Sequence, residues 1–267
     1  MNLTTATELL RSAYAKVEKA FTSVHAQQYT PGPLVVNNEL AVNHVPPKML
    51  VPTVVIDKLS KYTITPQDVQ VLAQLITHDT KVHEIGRLLG ISALCMHALG
   101  ATVTSIDANG CTEWTWPLRI KYDQRMLVHG DNVSVDTVTI PNNLVNTVSH
   151  RVLDDKCALL DTTFTPSMCT GADVVFEDVW CDATEDALIA TLLDAVAAQQ
   201  VKWLVVHDVR EFIHVATTLP KLLAQRPCLH AVYAGECAVV YRDHVPVVNV
   251  ESKNTTRWCP SRGDYHG

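Results

Sequence analysis

KVHEIGRLLGISALCMHALGATVTSID, residues 81–107, is the stretch from which the rest of the chain can be read. Lys81–Ile85 reads as a strand, Gly86–Gly90 as a turn, Ser92–Leu99 as a helix, and Thr102–Ile106 as a second strand ending at Asp107. Together they make one βαβ unit. Gly86 and Gly90 lie in the strand-to-helix turn, where a missing side chain lets backbone approach a ligand. The helix N-terminus there offers N–H groups to a carboxylate or phosphate. Glycines also serve such turns for steric reasons alone, so the pair by itself specifies no ligand. Asp107 adds a second observation, because an acid ending the next strand sits beside the same crevice and can accept hydrogen bonds from ribose hydroxyls. The G-x-G-x-x-G fingerprint fails, with Leu88 and Ile91 where glycines are required, which argues against a nicotinamide oxidoreductase.

Upstream, Thr65 can cap a helix with Pro66 in its first position, Asp68 in its first turn and a stripe of Val69, Leu72, Leu75 and Ile76, which predicts a helix over 65–78. Residues 4–26 place Leu9, Leu10, Tyr14, Val17, Phe21 and Val24 at helical spacing, and the proline- and asparagine-rich 31–52 reads as an extended connection. Downstream, Ala172–Phe176 and Val201–His207 have the composition of strands buried on both faces. The helix between them has Thr184 as its expected cap and a stripe of Leu188, Ile189, Leu192, Leu193 and Val196. A helical stretch near 210–224 carries Pro220, and short strands near 229–233 and 237–242 flank Gly235 as a closing hairpin. For the remaining strand two segments qualify: Met126–Val128 before Asp131, or Cys157–Leu160 before Asp161. The second leaves the shorter connection into Ala172 and is preferred. The expected organisation is a helix and proline-rich extension over 1–60, an α/β domain over 61–250 with an insertion near 109–155, and a flexible tail over 251–267.

Composition supports a folded chain. Of 267 residues 47% are hydrophobic and 18% charged, enough apolar material for a sizeable core. A formal charge of −7 supplies no general attraction for phosphate backbones, which disfavours nucleic acid except through a local patch. The N-terminal segment carries charges throughout and no run of about 18 apolar residues occurs, so a cytoplasmic location without membrane association is expected. The eight cysteines form no C-x-x-C pair and read as reduced, buried apolar residues; the twelve histidines are dispersed, and no zinc site is expected from them.

The blocks ITPQDVQVLAQLI and KVHEIGRLLGISALCMHALGATVTSID resemble the class I S-adenosylmethionine-dependent methyltransferases, in particular those of the catechol and caffeoyl-CoA O-methyltransferase type. The family motif E-x-G-x-x-x-G-x-S followed by a strand-ending acid is matched by Glu84, Gly86, Gly90, Ser92 and Asp107. The similarity resumes at DVVFEDVW and WLVVHDV, covering about 62–108 and 172–242. It implies a Rossmann-like, doubly wound, mostly parallel seven-stranded sheet with helices on both faces and a C-terminal antiparallel hairpin. It also implies S-adenosylmethionine as cofactor, with Glu84 and the 86–92 turn (Gly86, Gly90, Ser92) at the methionine end, Asp107 at the ribose, Asp161 or Asp131 on the adenine side, and Ile85 and Ala108 as further cofactor-binding positions. Methyl transfer from a sulfonium then depends largely on positioning.

Metal-dependent members hold Mg²⁺ with an Asp after the fourth strand and an Asp-Asn pair after the fifth, and the ion lowers the pKa of a substrate hydroxyl. Asp178 and Asp208 match the first two, as metal ligands or directly as catalytic bases. Val209 stands at the Asn position and Cys181 at that of a catalytic lysine. Simple strand-end acids capping the next helices are the alternative. His207 reads as a base or, by alternation in a buried strand, as packing; Lys202 and Trp203 open the same strand at the end remote from ligands. Trp180 fits either a ligand wall or the core. The expected activity is O-methylation of a small hydroxylated acceptor. RNA methylation at a ribose 2′-hydroxyl or cap, and a catalytically silent methyltransferase-like scaffold, are the competing expectations.

Overall fold

The protein is described by a computed structural model covering residues 1–28, 63–108, 113–120, 133–179, 183–210, 213–249, 257–259 and 264–266. In chain order the elements are α1 (Leu3–Gln28), α2 (Pro66–Leu75), β1 (Lys81–Ile85), α3 (Ile91–Ala98), β2 (Thr102–Asp107), β3 (Glu113–Ile120), β4 (Val133–Pro141) and α4 (Asn142–Leu153). They continue with β5 (Ala158–Asp161), β6 (Val174–Glu177), α5 (Ala183–Ala197), β7 (Trp203–Val206), α6 (Ile213–Ala224), β8 (His230–Ala234), β9 (Cys237–Tyr241), β10 (Arg257–Cys259) and β11 (Asp264–His266).

Seven strands form one sheet in the order β5-β2-β1-β6-β7-β9-β8. β1 runs parallel to β2 and β6, β5 continues beyond β2, and β7 beyond β6. Only β9 is reversed, lying antiparallel between β7 and β8. The chain winds outward from β1 in both directions, so beyond the carboxyl ends of β1 and β6 the connections leave to opposite faces of the sheet, the place where open α/β sheets bind ligands in a crevice.

Strand alternation distributes the core to both faces. Val82, Val103, Val174, Phe176 and Val205 pack with α1 to α4 in one cluster. Ile85, Val175, Leu204, Val206 and Val240 pack with α5 and α6 in the other. The doubly wound seven-stranded sheet with a reversed C-terminal strand is therefore observed, and Ala158–Asp161 is its third strand in sequence; Met126–Val128 and Asp131 lie outside the described residues.

The segment read as an insertion contains a crossover helix. α4 buries Val145, Val148, Val152 and Leu153 against α1 as part of the first core. Before it, β3 and β4 pair as an antiparallel ribbon whose register shifts between Trp116 and Leu118. Pro117 sits at the shift, where a residue without an N–H cannot complete the ladder. Thr184, expected as the α5 cap, lies inside the helix. The tail read as flexible contains the antiparallel pair β10–β11, with Trp258 facing Tyr265. Among the described residues Cys95, Cys157, Cys169, Cys228 and Cys237 are free, and no helix is long and apolar enough to cross a membrane.

Candidate functional site

The β1–α3 turn is held by Asp107. Its Oδ2 accepts hydrogen bonds from the backbone N–H groups of Arg87 (2.9 Å) and Leu88 (3.2 Å), so the acid at the end of β2 is joined to the turn at the crevice mouth. Ala108, next in the chain, is exposed. Gly86 and Gly90 both have positive φ, +89° and +77°. The space beside each glycine is filled by the protein itself. A Cβ on Gly86 would lie 2.1 Å from the Asp178 carbonyl oxygen, and one on Gly90 would lie 2.6 Å from the Leu153 side chain. These glycines let the turn pack against the chain leaving β6 and against α4. Leu88 also takes a left-handed φ, of 46°, which costs a branched residue about 1–2 kcal/mol.

Three residues expected at the cofactor point inward. Glu84 is fully buried and its two carboxylate oxygens accept hydrogen bonds from the hydroxyls of Ser92 and Ser105. Ile85 packs in the second core, and its carbonyl accepts the Asp178 N–H at 2.9 Å. Glu84, Ile85 and Ser92 therefore support the turn from beneath, because strand alternation turns Glu84 towards α3 and Ile85 towards α5. Burial pushes the Glu84 carboxyl up to about 7 against the two serine hydroxyls, which act the other way. Asp161 ends β5 as expected, but its carboxylate is paired with the buried Arg87 guanidinium and with His150 at 2.8 Å. Although burial opposes it, the hydrogen bonds from Arg87 and His150 and the Arg87 charge hold Asp161 below its ordinary value.

Across the crevice, Asp178 and Asp208 follow β6 and β7, and the fold brings them together on His207. Nδ1 of His207 lies 3.0 Å from Asp178 Oδ1 and 3.1 Å from Asp208 Oδ1, and its Nε2 lies 3.3 Å from Asp68 Oδ2. His207 and Asp68 are buried, whereas the side chains of Asp178 and Asp208 are 15% and 14% exposed and so reach the crevice. Asp208 adopts a left-handed φ of 57°, tolerated better by Asp than by most residues. His207 thus lies on its expected buried face, but it packs among three acids as well as beside the Phe176 ring at 5.8 Å.

Asp68 anchors this cluster from behind. Thr65 caps α2 as expected, and Asp68 closes a reciprocal capping box that the sequence reading did not include: its Oδ2 accepts from Thr65 N at 2.7 Å and from Thr65 Oγ1 at 2.6 Å. Oδ1 accepts from Glu236 N at 2.8 Å and from Cys237 Sγ at 3.5 Å, tying α2 to the β8–β9 turn. Burial opposes ionisation of Asp68, yet its hydrogen bonds to His207 and Thr65 and the His207 charge hold it below its ordinary value. Burial also opposes protonation of His207, but the charges of Asp208 and Asp178 and the hydrogen bonds raise it well above the ordinary imidazole value.

Among the described residues, Asp178, His207 and Asp208 offer ligand atoms that all lie within 4.8 Å of one another. Mg²⁺ takes oxygen ligands and is commonly held by one or two carboxylates with several waters; here it would meet one carboxylate from each strand end, with an imidazole nitrogen between them as the poorer partner. The third position is Val209, buried in the apolar core. Asp68 and Arg87 were missed as members of the site in the sequence. Asp68 was visible only as a first-turn acid, and nothing near Arg87 in the chain signals Asp161, 74 residues away. Trp180 and Cys181 lie outside the described residues.

No protein-family model matches the chain, and no curated protein matches it by sequence. Similar solved structures include precorrin-6y C5,15-methyltransferase from Geobacter metallireducens (11% identity, 65% of this chain and 84% of that one, TM-score 0.38). Magnesium protoporphyrin IX methyltransferase from Synechocystis, solved with bound S-adenosylmethionine, is 14% identical over 62% of this chain and 71% of that one, with a TM-score of 0.39. Precorrin 8w decarboxylase from Methanobacterium thermoautotrophicum is 8% identical over 67% and 90% respectively, with a TM-score of 0.38. At such distances no activity is transferred by likeness.

Proposed function

We propose that the chain is an S-adenosylmethionine-dependent methyltransferase whose cofactor lies across the carboxyl ends of β1 and β2, and whose acceptor is a small hydroxylated molecule. The observation that carries this reading is Asp107. Its carboxylate ends β2 at the topological switch of a doubly wound sheet and is oriented by two N–H groups of the β1–α3 turn. In this arrangement Asp107 receives the ribose hydroxyls, with exposed Ala108 beside them, and the backbone of the 86–90 turn and the α3 N-terminus receive the amino-acid end. The cofactor supplies an electrophilic methyl group. The chain supplies alignment and, at Asp178 or Asp208, an acid whose carboxylate takes the proton of the acceptor hydroxyl. Asp161 acts through Arg87, by holding the turn.

Calorimetric titration of the full chain with S-adenosylmethionine and S-adenosylhomocysteine tests the reading. We expect saturable binding that weakens about 10- to 100-fold in Asp107→Ala, the loss of one or two hydrogen bonds to a charged group. Absence of binding by the folded native chain would overturn the reading in favour of a silent scaffold.

A further inference from the structure

We infer that Glu84 makes the cofactor site proton-responsive: a ligand carboxylate settling on the β1–α3 turn draws a proton onto the Glu84 carboxyl, and the turn grips that ligand less well as pH rises. The ligand is the cofactor of the methyl-transfer reading, on which this inference rests.

α3 begins without a side-chain cap. Gly90 holds the N-cap position in the left-handed region, and no side chain hydrogen-bonds to the helix end. Ser92, in the first turn, directs its hydroxyl to Glu84 instead. The first N–H groups of α3 are thus left to a ligand carboxylate. Glu84 lies behind the same helix end, fully buried, with Ser92 on one oxygen and Ser105 on the other. As an anion it already interacts with the N-terminal partial charge from within, so a carboxylate arriving from outside meets a like charge. Protonation of Glu84 removes that repulsion. Both serines keep their partner in either state, because a hydroxyl donates or accepts.

The surroundings compensate this charge only weakly. Among the described residues no cation makes an ion pair with Glu84: the Arg87 guanidinium is directed to the Ser105 carbonyl and to Asp161, and acts on Glu84 from a distance. From α3 comes Cys95 and from the chain ahead of β5 comes Cys157, thiols that burial keeps neutral. Asp178, after β6, opposes ionisation of Glu84 by its own charge. A buried carboxylate held by two hydroxyls is a costly anion. Burial accordingly lifts its carboxyl to about 7, where a modest further push from a ligand changes its protonation.

Calorimetric titration of the full chain with S-adenosylhomocysteine, at pH 7 in two buffers of different ionisation enthalpy and again at pH 6 and pH 8, tests the coupling. If binding raises the carboxyl by about one unit, the native chain takes up roughly 0.4 proton per ligand at pH 7 and binds about 5-fold more weakly at pH 8 than at pH 6. In Glu84→Gln both effects should vanish. Carbon-13 carboxyl spectra of the native chain supply an arm that needs no variant to fold: the buried carboxyl titrating near neutral pH should move its midpoint upward on ligand addition. Proton release, binding without linkage, or linkage that persists in Glu84→Gln would overturn the inference alone. Absence of binding at every pH would overturn the methyl-transfer reading and this inference with it.

Discussion

Glu84 illustrates how one residue serves the turn from below. Its carboxyl is buried under α3 and carries two serine hydroxyls, and burial lifts it from 4.5 to about 7. An acid whose folded value lies above its unfolded one binds more protons in the native state, so stability falls as pH rises between 4.5 and about 7. The gap corresponds to at most ~3 kcal/mol. Glu84→Gln should therefore remove this fall, leaving the variant more stable relative to native at pH 8 than at pH 4.5. Urea unfolding at the two pH values reads the difference directly, and equal slopes for both proteins would refute it. The motif flagged Glu84 and Ser92 by spacing. Their direct bond, and the second serine at 105, needed the packing of β2 against β1.

At the scale of elements, α1 is more than an appendage. It contacts α2, α3 and α4, and its own Leu10, Val17 and Phe21 are fully buried. Phe21→Ala leaves a cavity at the junction and is expected to destabilise the protein by about 3–5 kcal/mol, measured by chemical denaturation. A cost under ~1 kcal/mol would mean that α1 is not docked as described. Helical periodicity made α1 and α2 readable, since their apolar stripes are regular and α2 also carries its Thr65 cap. α4 was not read, although Val145, Val148 and Val152 recur at intervals of three and four. Polar residues surround that sparse stripe, and only burial against α1 distinguishes it from loop.

For the whole molecule, the buried ionisable groups set opposing pH dependences. Asp68 and Asp161 are held low, so their contribution is present above the ordinary 3.8 and lost as pH falls through their folded values. Glu84 and Glu177 are raised, so stability declines as pH climbs above 4.5. His207 is raised above 6.5, so its contribution is complete below that value and disappears as pH rises through its folded one. Thermal unfolding should consequently be most resistant near about pH 5 and weaken towards both pH 3 and pH 9. A maximum at pH 8 or above would contradict the assigned buried charges.

What the sequence determined by itself was local and periodic. The βαβ alternation, the buried strands, the α2 cap and the strand-end acids Asp107, Asp161, Asp178 and Asp208 all follow from short-range patterns of apolar spacing and capping chemistry. Tertiary structure alone decided which of these groups meet. β9 entered the sheet before β8, bringing Glu236 and Cys237 onto Asp68. His207 joined acids from α2, β6 and β7, up to 139 residues apart in the chain. Arg87 crossed beneath the turn to Asp161. Such partnerships depend on strand order and on the directions side chains take once both faces of the sheet are covered, and no local spacing encodes either.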